Sequence, residues 1–179
     1  MAAEDFVDYL GVSMSVKAVV GRRRAEAELS VAVDKRMPER SYRIDTGKRV
    51  RITAADSRAA AQALYHLEDM MNLRCAPFLK KGSRTRRALF SPRMTHSGWG
   101  LDVFPDAHLA QIAHAGMDAI VIFITGVDRT RGVPRQNVAD VIRRAKRRGL
   151  DTYLYCKFPP SEYPDTPEAK KSFDETYGR

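Results

Sequence analysis

The residues of this sequence best suited to ligand chemistry are Arg93, His96 and Trp99, which are spaced three apart in the stretch SPRMTHSGWG. The planar fork of an arginine can hydrogen-bond two neighbouring hydroxyls. The flat face of a tryptophan can stack on an apolar C–H surface. Together the two could hold a ligand that has neighbouring hydroxyls and an apolar face. Trp99 is the single tryptophan of the chain and lies between two glycines, just after a predicted strand.

Two further polar residues have comparable positions in the sequence. Asp128 follows the second predicted strand of this region and Lys157 ends the third. Each candidate also has a structural interpretation, which the residues alone leave open. Arg93 could pair with an acidic residue, Trp99 could pack beneath a loop, and His96 could be a hydrogen-bonded structural histidine. Asp128 and Lys157 could cap loops.

The elements around these residues alternate between strand and helix. The stretch AGMDAIVIFI (115–124) recurs as RGLDTYLYCK (148–157), with Gly116 and Gly149 33 residues apart. A glycine at the end of a helix followed by an apolar run is typical of a strand buried in a parallel sheet. The predicted order is strand 91–98, helix 106–115, strand 118–124, helix 136–148, strand 151–157 and a helix that begins near Thr166.

The first part of the chain has a different organisation. A short helical pattern around Phe6 precedes a predicted strand at 27–34, and a hairpin is predicted at 41–45 and 49–53. A strong helix follows the capping residues 55–57. Residues 75–87 break both periodicities and are predicted to connect two domains, 1–88 and 89–179.

The predicted fold class is α/β with an α+β N-terminal domain. A small β-sheet/helix domain is followed by three β/α units of an incomplete TIM barrel, because eight such units need roughly 250 residues. We expect the unpaired barrel edge to allow self-association. The stretch SGWGLDVFPD is not a G-x-G-x-x-G loop, so a dinucleotide-binding fold is not favoured.

Two stretches resemble a known family. Residues 41–71, SYRIDTGKRVRITAADSRAAAQALYHLEDMM, are similar to the small α+β domain that precedes the barrel in family 20 β-N-acetylhexosaminidases. Residues 89–124 resemble the first β/α unit of the barrel in a bacterial hexosaminidase-like group. The resemblance implies a glycoside hydrolase that removes terminal sugars from oligosaccharides or glycans.

The resemblance also implies roles for some residues. Arg93 matches an arginine in the first barrel strand of the family that binds sugar hydroxyls. The sequence departs from the family where Leu-Asp arrives four residues late, at 101–102, and where VIFITGVD (121–128) lacks a histidine-tryptophan-histidine run. The catalytic Asp-Glu pair of the family is expected beyond Arg179, so the catalytic residues are unknown and the fragment is expected to be inactive.

The amino-acid composition and charge exclude few other classes of protein function. The net charge is +9, with basic clusters at 21–24, 80–87 and 143–148. Such a balance permits nucleic-acid binding, but no recognised binding motif is present, so a nucleic-acid partner is not expected. No cofactor, metal site or membrane segment is predicted. The N-terminus lacks an export signal, so a cytoplasmic location is the default expectation.

Two alternatives remain open at this stage. One is a non-catalytic carbohydrate-binding or scaffold protein on the same fold. The other is a basic nucleic-acid-associated protein.

Overall fold

The computed structural model describes residues 2–21, 29–96, 104–124, 137–156 and 166–177. Its elements in the N-terminal part are α1 (Ala2–Met14), β1 (Leu29–Val33), β2 (Ser41–Thr46), β3 (Val50–Ala54), α2 (Ser57–Asn72) and β4 (Gly82–Arg87). The following elements are β5 (Met94–His96), α3 (Asp106–His114), β6 (Ala119–Ile124), α4 (Val138–Arg147), β7 (Asp151–Cys156) and α5 (Pro167–Tyr177). The chain therefore combines helices and strands in a mixed α/β fold.

The N-terminal strands form a four-stranded sheet in the order β1-β3-β2-β4. The predicted hairpin is confirmed, since β2 and β3 are antiparallel with Ile44 opposite Ile52. These two isoleucines are buried against α2, whose Ala63, Leu64 and Leu67 lie on the facing side, with Leu67 one helical turn after the other two. α2 begins where the sequence predicts, because the side chain of its N-cap, Asp56, accepts a hydrogen bond from the amide of Ala59.

The stretch 75–87, which was predicted to connect two domains, contains a strand that the sequence did not predict. Residues 82–87 form β4, which pairs antiparallel with β2 along its whole length. Every residue of β4 is exposed. An edge strand without a buried face has no alternation of apolar and polar residues, so its sequence, GSRTRR, carries no strand signal. β4 ends one residue before the predicted boundary at 88, and that boundary itself stays a prediction.

β5, β6 and β7 form a second sheet, and it is parallel. The predicted adjacency of the three strands is confirmed within the described residues. Gly116 and Gly149 close the preceding helices with φ of 83° and 75°, the left-handed conformation that favours glycine. Of the predicted first strand, 91–98, the described part is only Met94–His96.

One face of the parallel sheet is covered by α3 and α4. Its core includes Ile120 and Ile122 from β6, with Leu109 from α3 and Val141 from α4. Tyr65 of α2 belongs to the same core. Since α2 packs against the N-terminal sheet with one side and against this core with the other, it joins the two parts of the chain.

Candidate functional site

In a parallel β/α sheet, ligands bind beyond the carboxyl ends of the strands. In the described residues these ends are His96 of β5, Ile124 of β6 and Cys156 of β7. The predicted site residues Trp99, Asp128 and Lys157 lie outside the residues that the structure describes, and their roles remain predictions.

Three aromatic side chains form a row near the carboxyl ends of the strands. The rings of His96 and Phe123 meet edge to face with centroids 5.6 Å apart, and those of Phe123 and Tyr155 are 5.0 Å apart. The row, His96–Phe123–Tyr155, lies on the face of the sheet that α3 and α4 do not cover, because these residues alternate with the buried Ile122 and its neighbours. Tyr155 is 50% exposed.

The aromatic row can make the contacts that suit a sugar ring. Ring faces stack on C–H surfaces, and the imidazole of His96 and the phenol of Tyr155 can exchange hydrogen bonds with hydroxyls. His96 was a candidate from the sequence, whereas Phe123 and Tyr155 were not. The signal available for both was their place near the ends of the predicted strands 118–124 and 151–157, at positions that the register of the sheet places on the same face.

Arg93 does not lie at the carboxyl end. It precedes β5, and its backbone carbonyl accepts the amides of Asp118 and Ala119 at the start of β6. The Arg93 amide donates to Oδ1 of Asp118 over 2.6 Å, and its Nε donates to Oδ2 over 3.3 Å. Asp118 is only 3% exposed. This geometry favours the interpretation in which Arg93 pairs with an acidic residue. Arg93 lies within the predicted strand 91–98 but one residue before β5, and its contact with a sugar stays a prediction.

A second aspartate at the amino end joins the sheet to α2. The Arg58 guanidinium binds both carboxylate oxygens of Asp151, over 2.9 Å and 2.6 Å. The hydrogen bond from Arg58 lowers the pKa of Asp151. Since Arg58 lies in the first turn of α2, this pair holds the start of β7 against the helix that joins the two parts of the chain.

A cluster of ionisable groups lies farther along α2. His114 Nδ1 at the end of α3 is 2.8 Å from Oε2 of Glu68, which is 5% exposed. His114 Nε2 is 3.8 Å from Asp5 Oδ2 of α1, and Arg148 also pairs with Asp5. The hydrogen bond to Glu68 raises the pKa of His114, while burial opposes the shift. The ring of His114 contacts that of Tyr65. This cluster connects three helices and has a structural role.

The described ranges of the chain contain no group of three or more His, Cys, Asp or Glu side chains able to hold a metal ion. None of the helices within them is long and apolar enough to cross a membrane.

The chain resembles solved structures of family 20 hexosaminidases. A mutant Streptomyces plicatus β-hexosaminidase in complex with its product GlcNAc is 15% identical, with 86% of this chain and 38% of that chain covered and a TM-score of 0.60. A glycoside hydrolase family 20 β-N-acetylglucosaminidase is 14% identical, with coverages of 86% and 36% and a TM-score of 0.62. The β-N-acetylhexosaminidase from Bacteroides fragilis is 15% identical, with coverages of 98% and 41% and a TM-score of 0.55.

The chain therefore has the fold of part of these enzymes. It spans about two fifths of the length of each. No family model matches the sequence, and no curated protein matches it.

Proposed function

We propose that this chain is the pre-barrel domain and the first three β/α units of a glycoside hydrolase-like protein that acts on terminal sugars of oligosaccharides or glycans. The observation that carries the proposal is the aromatic row at the carboxyl ends of a three-stranded parallel sheet. The likeness in fold to family 20 hexosaminidases supports it. The catalytic carboxylates are proposed to lie on further barrel strands outside this sequence.

The offset in register between neighbouring strands supports the proposed barrel fold. The helix-ending glycines Gly116 and Gly149 are 33 residues apart. Residues that pair across β6 and β7 are 32 apart, as Ala119 and Asp151 are. Equivalent positions of neighbouring units are thus offset by one residue. An offset of about one residue at each of eight strands adds up to a shear of about 8, which is the value for an eight-stranded β/α barrel.

The solvent exposure of the sheet face that α3 and α4 do not cover also supports the proposed barrel fold. Tyr153 is 45% exposed, and Met94 lies on the same face with 39% exposed. Large side chains exposed side by side on a sheet usually have a partner surface. In a closed barrel this face would be the interior, and the side chains nearest the carboxyl ends would line the sugar site.

In the proposed enzyme, the residues of this chain would bind and orient the sugar. Stacking on the row His96–Phe123–Tyr155 would fix the plane of the ring, and Trp99, Asp128 and Lys157 in the following segments would contact its hydroxyls or its apolar face. Bond cleavage would need a pair of carboxylates, or one carboxylate and a nucleophile from the substrate itself. We therefore expect this chain to bind sugar without hydrolysing it.

The fluorescence of Trp99 offers a direct test, since it is the single tryptophan of the chain. Titration with N-acetylglucosamine should change its emission saturably, with a dissociation constant on the order of 1–10 mM, as is usual for weak complexes. Tyr155→Ala should weaken binding several-fold because it removes one ring of the row. The matched control is Tyr9→Ala, which changes a tyrosine of α1 that bonds to Asn72, outside the parallel sheet. Emission that does not respond to any neutral monosaccharide would contradict the proposal.

A further inference from the structure

A cavity of about 310 Å³ lies at the opposite end of the parallel sheet. Its walls come from β2 and β4 of the N-terminal sheet, the first turn of α2 and the start of β5 and β6. Five arginines line it: Arg40, Arg58, Arg86, Arg87 and Arg93. They come from four separate parts of the chain, so the cavity is formed by the fold and not by a single basic run of sequence.

The carboxylates of the cavity do not neutralise all five arginines. Asp118 forms an ion pair with Arg93, and Asp151 forms one with Arg58. The side chain of Asp56 accepts the Ala59 amide as the cap of α2.

Three arginines of the cavity therefore have no ion pair among the described residues. Arg40, Arg86 and Arg87 form no ion pair with any residue in the described part of the chain. Glu39, on the exposed rim, is the one further carboxylate among the lining residues. The cap bond leaves Asp56 charged, and Arg40 also acts on Asp151, so the described side chains of the site keep a small net positive charge, five arginines against four carboxylates.

The positive potential acts on neighbouring groups. Burial lowers the pKa of His66, and the charge of Arg86 lowers it further. Burial raises the pKa of Tyr42, which Arg86 and Arg93 oppose. Tyr42 Oη lies 3.1 Å from Nδ1 of His66, so the phenol is fixed in the cavity wall. Tyr42 therefore remains a neutral hydroxyl that can hydrogen-bond a ligand beside the arginines.

We propose that this cavity binds a small molecule that carries a phosphate or sulfate group, with Arg86 of β4 and Arg40 holding the oxyanion and Arg87 adding charge. Guanidinium forks match the oxygen geometry of these groups and bind them with short charge-assisted hydrogen bonds. Three arginines without an ion pair among the described residues favour an anion with more than the two oxygens of a carboxylate. The volume is at the lower end of the range for small-molecule sites, which leaves room for the group that carries the anion. The inference goes beyond the proposed function, since the cavity faces the amino end of the sheet and the sugar site its carboxyl end.

The chain provides a matched pair of variants. Arg84 and Arg86 lie two residues apart on the same face of β4, opposite Ile44 and Tyr42. Arg84 points its Nη1 at the sulfur of Met70, 3.7 Å away, and does not line the cavity. Arg86→Gln and Arg84→Gln therefore remove the same charge from the same exposed strand, but only the first removes it from the cavity.

The test is calorimetric titration of the whole chain with inorganic phosphate, inorganic sulfate, glucose 6-phosphate and, as neutral control, glucose. Arg86→Gln should weaken binding by about tenfold or more, the loss expected for hydrogen bonds to a charged group. Arg84→Gln should change it by less than about threefold, the residual effect of a screened charge outside the cavity. Unchanged thermal unfolding would show that both variants fold. Arg40→Gln is the second cavity variant.

The ligands distinguish the source of the anion. Binding of both inorganic ions would identify a site for the free anion, and binding of glucose 6-phosphate alone would identify a site for a carried phosphate. Absence of binding by all three anions at about 10 mM would overturn the proposal. Equal losses in Arg84→Gln and Arg86→Gln would also overturn it, because the binding would then be diffuse attraction of anions to β4. Loss of anion binding with intact sugar binding would leave the proposed function unaffected.

Discussion

Replacing His114 with alanine should lower the free energy of unfolding by about 3 kcal/mol. Removal of one partner from a buried ion pair costs about 3–5 kcal/mol, because the other charge stays buried without compensation. We expect a cost at the lower end of this range, because the His114 side chain is 33% exposed although Glu68 is almost fully buried. Oε1 of Glu68 already lacks a hydrogen-bond partner, so loss of His114 would leave the whole carboxylate without a side-chain partner.

The effect should depend on pH in a defined direction. Because Glu68 raises the pKa of His114 above its ordinary value of 6.5, the folded state binds the proton more tightly than the unfolded state. The stabilisation is fully present below pH 6.5 and is lost as the pH rises through the raised pKa of the folded protein. The difference between the wild-type chain and His114→Ala should therefore be larger at about pH 5.5 than at about pH 8.5.

Urea unfolding followed by circular dichroism at both pH values measures this difference. Glu68→Leu combined with His114→Leu should be less destabilised than the sum of the two single changes, because no charge is then left buried. Lys170→Ala serves as control, since its i,i+4 pair with Asp174 is exposed and should contribute less than about 0.5 kcal/mol. A loss below about 1 kcal/mol for His114→Ala, or one independent of pH, would refute the reasoning.

Three further changes test the amino end of the sheet and the caps of its helices by the same unfolding measurement. Asp118→Ala should cost about 3 kcal/mol, because the amide and guanidinium of Arg93 lose a buried carboxylate; a cost near zero would contradict this account of the pair. Asp56→Ala should cost about 1 kcal/mol through loss of the α2 cap, whereas Asp56→Ser should largely retain stability. Gly149→Ala should cost about 1–2 kcal/mol from its φ of 75° alone, since an added Cβ would meet only Arg58 Cγ at an ordinary 3.7 Å; a neutral result would show that the helix ends differently.

The parallel sheet could be predicted from the sequence because its signals are local. The glycines that end α3 and α4 are followed directly by apolar runs, and both runs became neighbouring strands. The hairpin of β2 and β3 was likewise readable from alternating residues on either side of a turn at Gly47. These features combine a residue with a required backbone conformation and a pattern of burial, and both are visible in one sequence.

Features that depend on distant partners could not be predicted. β4 has no buried face, and its strand conformation comes from pairing with β2, about 40 positions earlier in the sequence. The position of Arg93 before β5 is set by its hydrogen bonds to Asp118, which no local pattern encodes. The row of His96, Phe123 and Tyr155 depends on the register between three strands, so only the histidine was found from its sequence position.

The central claim, that sugar binds at the carboxyl ends of the parallel strands, is tested most directly by mapping the binding of N-acetylglucosamine with backbone amide chemical shifts in heteronuclear NMR. If sugar binds there, saturable shifts are expected at His96, Phe123 and Tyr155 and in the segments that follow β5, β6 and β7. Shifts confined to the amino end around Asp118, or none at saturating sugar, would contradict it.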